Sequence, residues 1–137
     1  IRPSAVYGPT DMNYRVSQYF IEKAMLNEKI TVHGKKEALD FTFIDDLVDG
    51  CWLAAKSKKG INETFNITFG KARTLVDYVR ILKKYFKNLK FEVIKRDEKR
   101  PKRGTLKIDK AKKILGFRPK INLEKGIEIY IKNFRRK

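Results

Sequence analysis

LDFTFIDDLVDG, residues 39–50, runs a strand straight into a helix and so decides the fold class. Phe41, Thr42, Phe43 and Ile44 are aromatic or β-branched and predict a strand over 41–44. Asp45 or Asp46 caps the helix that follows, because a carboxylate accepts the free N–H groups of a first turn and complements the positive end of the dipole. Leu47, Val48, Cys51, Trp52 and Ala55 supply a buried stripe that ends near Gly60. On the N-terminal side, residues 30–33 form a short alternating strand stopped by Gly34, and 34–40 is a loop between two strands. Before it, Val16, Phe20 and Ala24 recur at helical spacing beside Tyr19, which predicts a helix over 13–27. The opening IRPSAVYGPT reads as a buried strand broken by Gly8 and Pro9.

The same alternation continues towards the C-terminus. Residues 64–67 form a strand ending at Gly70, and Thr74 caps a helix with Leu75, Val79, Leu82 and Phe86 on one face. Residues 91–94 form a further strand. KRDEKRPKRG, 95–104, has almost no apolar content and is an exposed loop. Asp109 caps a short helix to Leu115, which Gly116 ends and Pro119 stops. A last helix over 123–134 carries Leu123, Ile127, Tyr130 and Phe134 on one side. Strands and helices alternate throughout, so the fold class is α/β.

With 137 residues, 42% of them apolar, there is material for one core. The balance of 33 basic against 16 acidic residues, net +17, favours nucleic acid, an anionic membrane or a phosphorylated ligand, or is simply a lysine-rich surface. A single cysteine, Cys51, excludes an internal disulfide and a cysteine-rich metal site and points to a reducing cytoplasm. No run of about 18 apolar residues is present, and no signal stretch opens the chain. The first residues read as a chain entered in mid-strand, hence as part of a longer protein.

Five segments in order, RPSAVYGP at 2–9, ITVHG at 30–34, LDFTFIDDLVDG at 39–50, ETFNITFG at 63–70, and KIDKAKKILGFRP with LEKG at 107–126, resemble the C-terminal half of the NAD-dependent epimerases and dehydratases, the extended short-chain dehydrogenases. The resemblance implies the C-terminal part of a Rossmann-type parallel sheet plus a small α/β substrate-binding lobe. Residues 1–12 and about 39–58 would join the edge of the Rossmann sheet; about 13–38 and 59–137 would form the lobe. It further implies a nucleoside-diphosphate sugar as ligand, NAD or NADP as cofactor of the parent enzyme, a missing N-terminal Rossmann half as partner, and a homodimer in the full-length protein. Neither nucleic acid nor membrane is an expected partner.

The chain alone is expected to bind no dinucleotide and to be non-catalytic. No two of its glycines lie closer than ten residues apart, whereas a pyrophosphate cradle needs a glycine-rich turn. One Tyr–Lys pair at the spacing of the family's acid/base, Tyr19 and Lys23, follows the VYGP segment instead of preceding it, and reads as a decoy. By the resemblance, Tyr7, Gly8 and Pro9 lie on the cofactor side. Asn13 and Arg15, opening a helix, suit a diphosphate, since backbone donors and a guanidinium act on the same oxygens. His33 stands where an aromatic often meets the nucleoside base. Ala5 and Leu39 replace an Asn and an Arg that many members use, so the diphosphate grip moves to Arg100 and Arg103, with Arg73 a further candidate. Epimerase, dehydratase, decarboxylase and reductase are not separated by these residues. The competing readings are a basic nucleic-acid-binding module and a structural piece without a ligand of its own.

Overall fold

The computed structural model describes residues 1–134. The opening strand is two short ones, β1 (Arg2–Pro3) and β2 (Val6–Tyr7), separated by a kink at Ala5, whose φ is +38°. Next come α1 (Val16–Met25), β3 (Ile30–His33), β4 (Ala38–Leu39), β5 (Thr42–Phe43) and α2 (Ile44–Lys56). A 3-10 turn at Lys58–Gly60 leads to β6 (Asn66–Ile67), β7 (Arg73–Thr74), α3 (Leu75–Tyr85), β8 (Phe91–Ile94), α4 (Asp109–Leu115) and α5 (Leu123–Phe134).

The strands associate in pairs. β1 with β6, β2 with β5 and β3 with β8 are parallel, and β4 with β7 is antiparallel. Parallel partners need a crossover, and here helices supply it: α1 and α2 lie between β2 and β6 in the chain, and α2 packs on both. β6 thus joins β1 and α2. With α4 it builds a small apolar cluster of Phe65, Ile67, Ile108, Leu115 and Phe117. The larger core gathers Phe20 and Ile21 of α1, Ile30 and Val32 of β3, Tyr78 and Leu82 of α3, and Ile127 and Tyr130 of α5 around Tyr7, Phe41 and Phe43.

Four expectations need correction. Asp109 does not cap α4 but is its first residue, after Ile108 at an N-cap that carries no side-chain bond. α1 begins at Val16, with Arg15 at its N-cap, so Asn13 lies outside the helix and donates its backbone N–H to Asp11 Oδ1 at 3.2 Å. α2 has Phe43 at its N-cap with no side-chain cap, and Asp46 instead accepts the backbone N–H groups of Lys120 and Ile121 at 2.8 and 2.9 Å. The carboxylate fastens the entry to α5 rather than capping its own helix. Finally, the buried face of α2 is Leu47, Gly50, Leu53 and Ala54, while Val48 and Trp52 are 59% and 63% exposed. Apolar residues nearly surround this helix, so periodicity alone admits two stripes. Gly50 selects one, because a Cβ there would sit 2.3 Å from Ile67 Cγ2.

Where sequence and structure agree, local chemistry is strong. Thr74 caps α3 through a complete capping box: its hydroxyl accepts from the Asp77 N–H at 3.0 Å, and the Asp77 carboxylate accepts from the Thr74 N–H at 3.1 Å. Gly116 closes α4 in the left-handed region at φ +68°.

Candidate functional site

Two hollows open where the strand pairs meet α1. The larger encloses about 700 Å³, between the β1–β2 kink, the N-terminus of α1, the 33–39 segment and the 96–103 loop. Its floor is apolar, from Ala5, Leu39, Phe41 and Leu75. Its walls carry four arginines, Arg15, Arg96, Arg100 and Arg103, together with His33 at the end of β3. Against them stand two carboxylates, each already bound to one arginine. Glu37 Oε1 accepts from Arg96 Nε at 2.6 Å, and Asp97 Oδ2 lies 3.3 Å from Arg100 Nε. Among the described residues, the Arg15 and Arg103 side chains form no ion pair. The cleft is therefore left with two uncommitted guanidinium groups, one at the N-cap of α1 and one from the loop that leads to α4. Such groups recognise phosphate bidentately.

The smaller hollow, about 220 Å³, is lined by Tyr7, Gly8, Pro9, Asn13, Arg15 and Ile44, so Arg15 borders both spaces. Gly8 is required here by close approach: a Cβ would meet Ile44 Cγ2 at 2.6 Å. Tyr7 presents no phenol to either hollow. Its ring is 2% exposed and meets Phe41, Phe43 and Tyr78 edge-on at 6.0, 5.5 and 6.4 Å. The hydroxyl is buried without a partner, against α5 where Gly126 leaves room for it. Burial lifts its pKa far above the ordinary phenol value. What the Tyr7–Pro9 turn offers a ligand is therefore its path and not the tyrosine's acid/base group.

The remaining expected residues fall as follows. Arg73 borders neither hollow; its guanidinium pairs with Glu124 at 2.9 Å and approaches Asp77 at 3.8 Å, tying β7 to the first turns of α3 and α5. Tyr19 and Lys23 are also outside both hollows, the Lys23 ammonium lying 5.7 Å from the Tyr19 ring centroid and paired with Glu28. Two cleft residues, Glu37 and Arg96, were not expected from sequence. Arg96 looked like one more charge in an exposed loop. The register of the β3–β8 pair, His33 opposite Ile94, brings the residues after each strand side by side, and pairing the two strands was the signal that would have found it.

Asp40 lies just beneath the cleft and is fully buried. Its carboxylate accepts from Thr68 Oγ1, Gly70 N and Leu106 N at 3.0 Å each and from Lys71 N at 3.3 Å. A buried carboxylate met by this many donors is satisfied structurally and is not available to a ligand. Among the described residues no group of acids, histidine and cysteine is arranged to hold a metal ion.

Residues 1–68 match the family model described as NAD dependent epimerase/dehydratase family. UDP-glucuronic acid decarboxylase 4 of Arabidopsis thaliana is 29% identical over 135 residues, which is 96% of this chain and 30% of that protein. The structure of UDP-glucuronic acid 4-epimerase from Bacillus cereus, in complex with UDP-glucuronic acid and NAD, superposes with a TM-score of 0.89 at 27% identity, covering 98% of this chain and 44% of that one. UDP-glucose 4-epimerase from Thermotoga maritima, with UDP-glucose, gives 0.87 at 28% identity over 98% of this chain and 45% of that one. The chain thus spans less than half the length of each of these relatives. The α/β fold, the paired parallel strands and the sequence match to residue 68 agree, and the chain belongs to the NAD dependent epimerase/dehydratase family.

Proposed function

We propose that this chain forms the nucleotide-sugar side of an NAD(P)-dependent epimerase or dehydratase of the cytoplasm. The larger cleft takes the ligand, and Arg15 and Arg103 take the diphosphate. The observation that carries this reading is the charge arrangement: both cleft carboxylates are spent on Arg96 and Arg100, which leaves two guanidiniums for the two negative charges of a diphosphate. His33 borders the same space and suits the nucleoside base, and the apolar floor at Leu39 and Leu75 suits uncharged parts of the ligand. The two solved relatives above are crystallised with UDP-sugars, which makes a UDP-sugar the first ligand to try.

NAD fits these residues only at its margin. The pyrophosphate of a dinucleotide needs a glycine-rich turn opening a helix. The glycine next to the smaller hollow, Gly8, is filled against by Ile44 and opens no helix. Residues 1–12 and about 39–58 are then the edge of the cofactor-binding sheet, and hydride chemistry belongs to residues beyond those described. The part this chain plays is to hold and orient the sugar nucleotide.

Isothermal titration with UDP-glucose tests the reading. Removing two charge-assisted contacts, by Arg15→Ala with Arg103→Ala, should weaken binding on the order of a hundredfold. Arg100→Ala should cost much less, since that guanidinium already has Asp97. Wild-type affinity in the double variant, or no heat from any nucleoside-diphosphate sugar, sinks the assignment.

A further inference from the structure

We propose that Glu37 and Arg96 form a clasp that holds the 95–103 loop over the large cleft, and that this clasp sets how tightly the cleft grips an anionic ligand. Both are positioning residues. The ligand half of the proposal rests on the diphosphate reading above, whereas the clasp itself rests on geometry alone.

The loop has little else to order it. Apart from Pro101, residues 95–104 contain no apolar side chain, and Arg100 and Lys95 are 67% and 87% exposed. Conformational entropy alone would leave such a segment mobile. Its fixed points converge on Arg96. Gly34 donates its N–H to the Ile94 carbonyl at 2.9 Å, and the Glu37 N–H returns to the Gly34 carbonyl at 3.2 Å, forming a turn over 34–37. That turn lies directly on Arg96. A Cβ at Gly34, whose φ is +83°, would come within 3.1 Å of Arg96 Cβ and 2.7 Å of Glu37 Cγ. From there the Arg96 guanidinium reaches in two directions, donating to Glu37 Oε1 at 2.6 Å and to the Arg100 carbonyl. One side chain thus ties the loop's own backbone, four residues on, to the turn after β3. At 24% and 23% side-chain exposure, Arg96 and Glu37 are shielded compared with the other charges of the loop, so this pair is screened less than its neighbours. Arg103, just beyond, inherits its place over the cleft from this anchor and from the Leu106–Asp40 bond on the far side.

A clasp and a mere counter-ion predict opposite signs. If Glu37 only neutralised the cleft, Glu37→Gln would remove a negative charge from the wall and tighten anion binding. As a clasp, losing it frees the loop, scatters Arg103 and weakens binding. The probes are UDP and inorganic pyrophosphate, titrated calorimetrically into the chain. We expect Glu37→Gln and Arg96→Lys each to weaken both by about fivefold. The charge-swapped double variant Glu37→Arg with Arg96→Glu should recover only part of the loss, since it restores the pair between positions 37 and 96 but not the bond to the Arg100 carbonyl; even a partial recovery is something no general destabilisation would give. A second readout needs no ligand: limited trypsin digestion under native conditions should cut faster at Lys99 and Lys102 in Glu37→Gln, with the melting temperature little changed. Tighter binding in Glu37→Gln overturns the clasp, and so does an unchanged cutting rate at Lys99 and Lys102. A wild-type chain that ignores both probes overturns the diphosphate reading instead, and the digestion still judges the clasp.

Discussion

The junction around Asp40 and the rim around Arg103 are joined by residues 104–106, and charge serves opposite ends in them. Asp40 is fully buried and meets donors from Thr68, Gly70, Lys71 and Leu106, so its charge is consumed in joining β5, β6 and the approach to α4. On the rim, Arg100 and Arg103 stand in solvent around a cleft, and only Arg100 has a carboxylate beside it. A buried charge is tolerable only when its whole hydrogen-bonding capacity is met. An exposed one costs little to leave unmet and can wait for a ligand. The lesson is that the acidic motif beside the cleft holds the fold together, and the basic loop above it keeps charge free for an anion.

The most forceful way to break this contrast is Asp40→Ala. It leaves donors from two separate segments, 68–71 and Leu106, without an acceptor, and should cost about 3–5 kcal/mol of stability, read as a fall in the urea midpoint. Asp40→Asn should recover only part of it, because an amide offers one acceptor oxygen in place of two. By contrast, Arg103→Ala should leave the midpoint where it is while weakening nucleotide binding. An Asp40→Ala chain as stable as wild type would remove the structural half of the comparison.

This division was only partly legible in sequence. β3, β8 and α5 were readable because each rests on local periodicity bounded by a clear stop, and Thr74 was readable because a cap is a property of adjacent residues. Of the carboxylates in LDFTFIDD, Asp45 and Asp46 were legible as structural, but the long-range partners were not: Asp40 reaches Leu106 and Asp46 reaches Lys120, and contacts so distant in sequence leave no local pattern. The same reason hid the Glu37–Arg96 pair. The VYGP turn was legible only in part. Its position near the hollows follows from the chain path, yet the direction of the Tyr7 ring is set by Gly126 on the last helix, a residue whose small size says nothing until α5 is docked.

Alkali sharpens the buried side of the comparison. Tyr7, Tyr78 and Tyr130 all lie in the main core, and desolvation raises each phenol above its ordinary pKa of 10.0, that of Tyr130 to about 12. A folded pKa above the unfolded one means that the neutral phenol is favoured by folding. Their contribution is therefore complete below pH 10 and drains away as pH rises from there towards 12. Stability should be flat with respect to these groups at neutral pH and fall steeply above about pH 10. Because the Tyr7 hydroxyl has no partner, Tyr7→Phe should be neutral or slightly stabilising at pH 7 and should flatten the alkaline fall; a clear loss at pH 7 would mean that the hydroxyl bonds something after all.

The smallest effect lies where the two regions touch. Thr74 pairs with Ala38 across β4 and β7 and caps α3, whose first residue, Leu75, lines the cleft. Thr74→Ala removes one cap bond and should cost about 1 kcal/mol. The loss should depend on acid. The Thr74 hydrogen bond, helped by Arg73 and Arg80, holds the Asp77 carboxyl below its ordinary 3.8, so the capping box stabilises the fold fully above that value and is lost as pH falls from there through the lowered folded pKa. The wild-type advantage over Thr74→Ala should accordingly be full at pH 7 and shrink below about pH 4. UDP affinity should stay near wild type, because the cap fixes where α3 starts and not where the arginines point. A drop in affinity as large as that of the Arg15 and Arg103 double variant would show that core and rim are coupled through Leu75, and would end their treatment as separate regions.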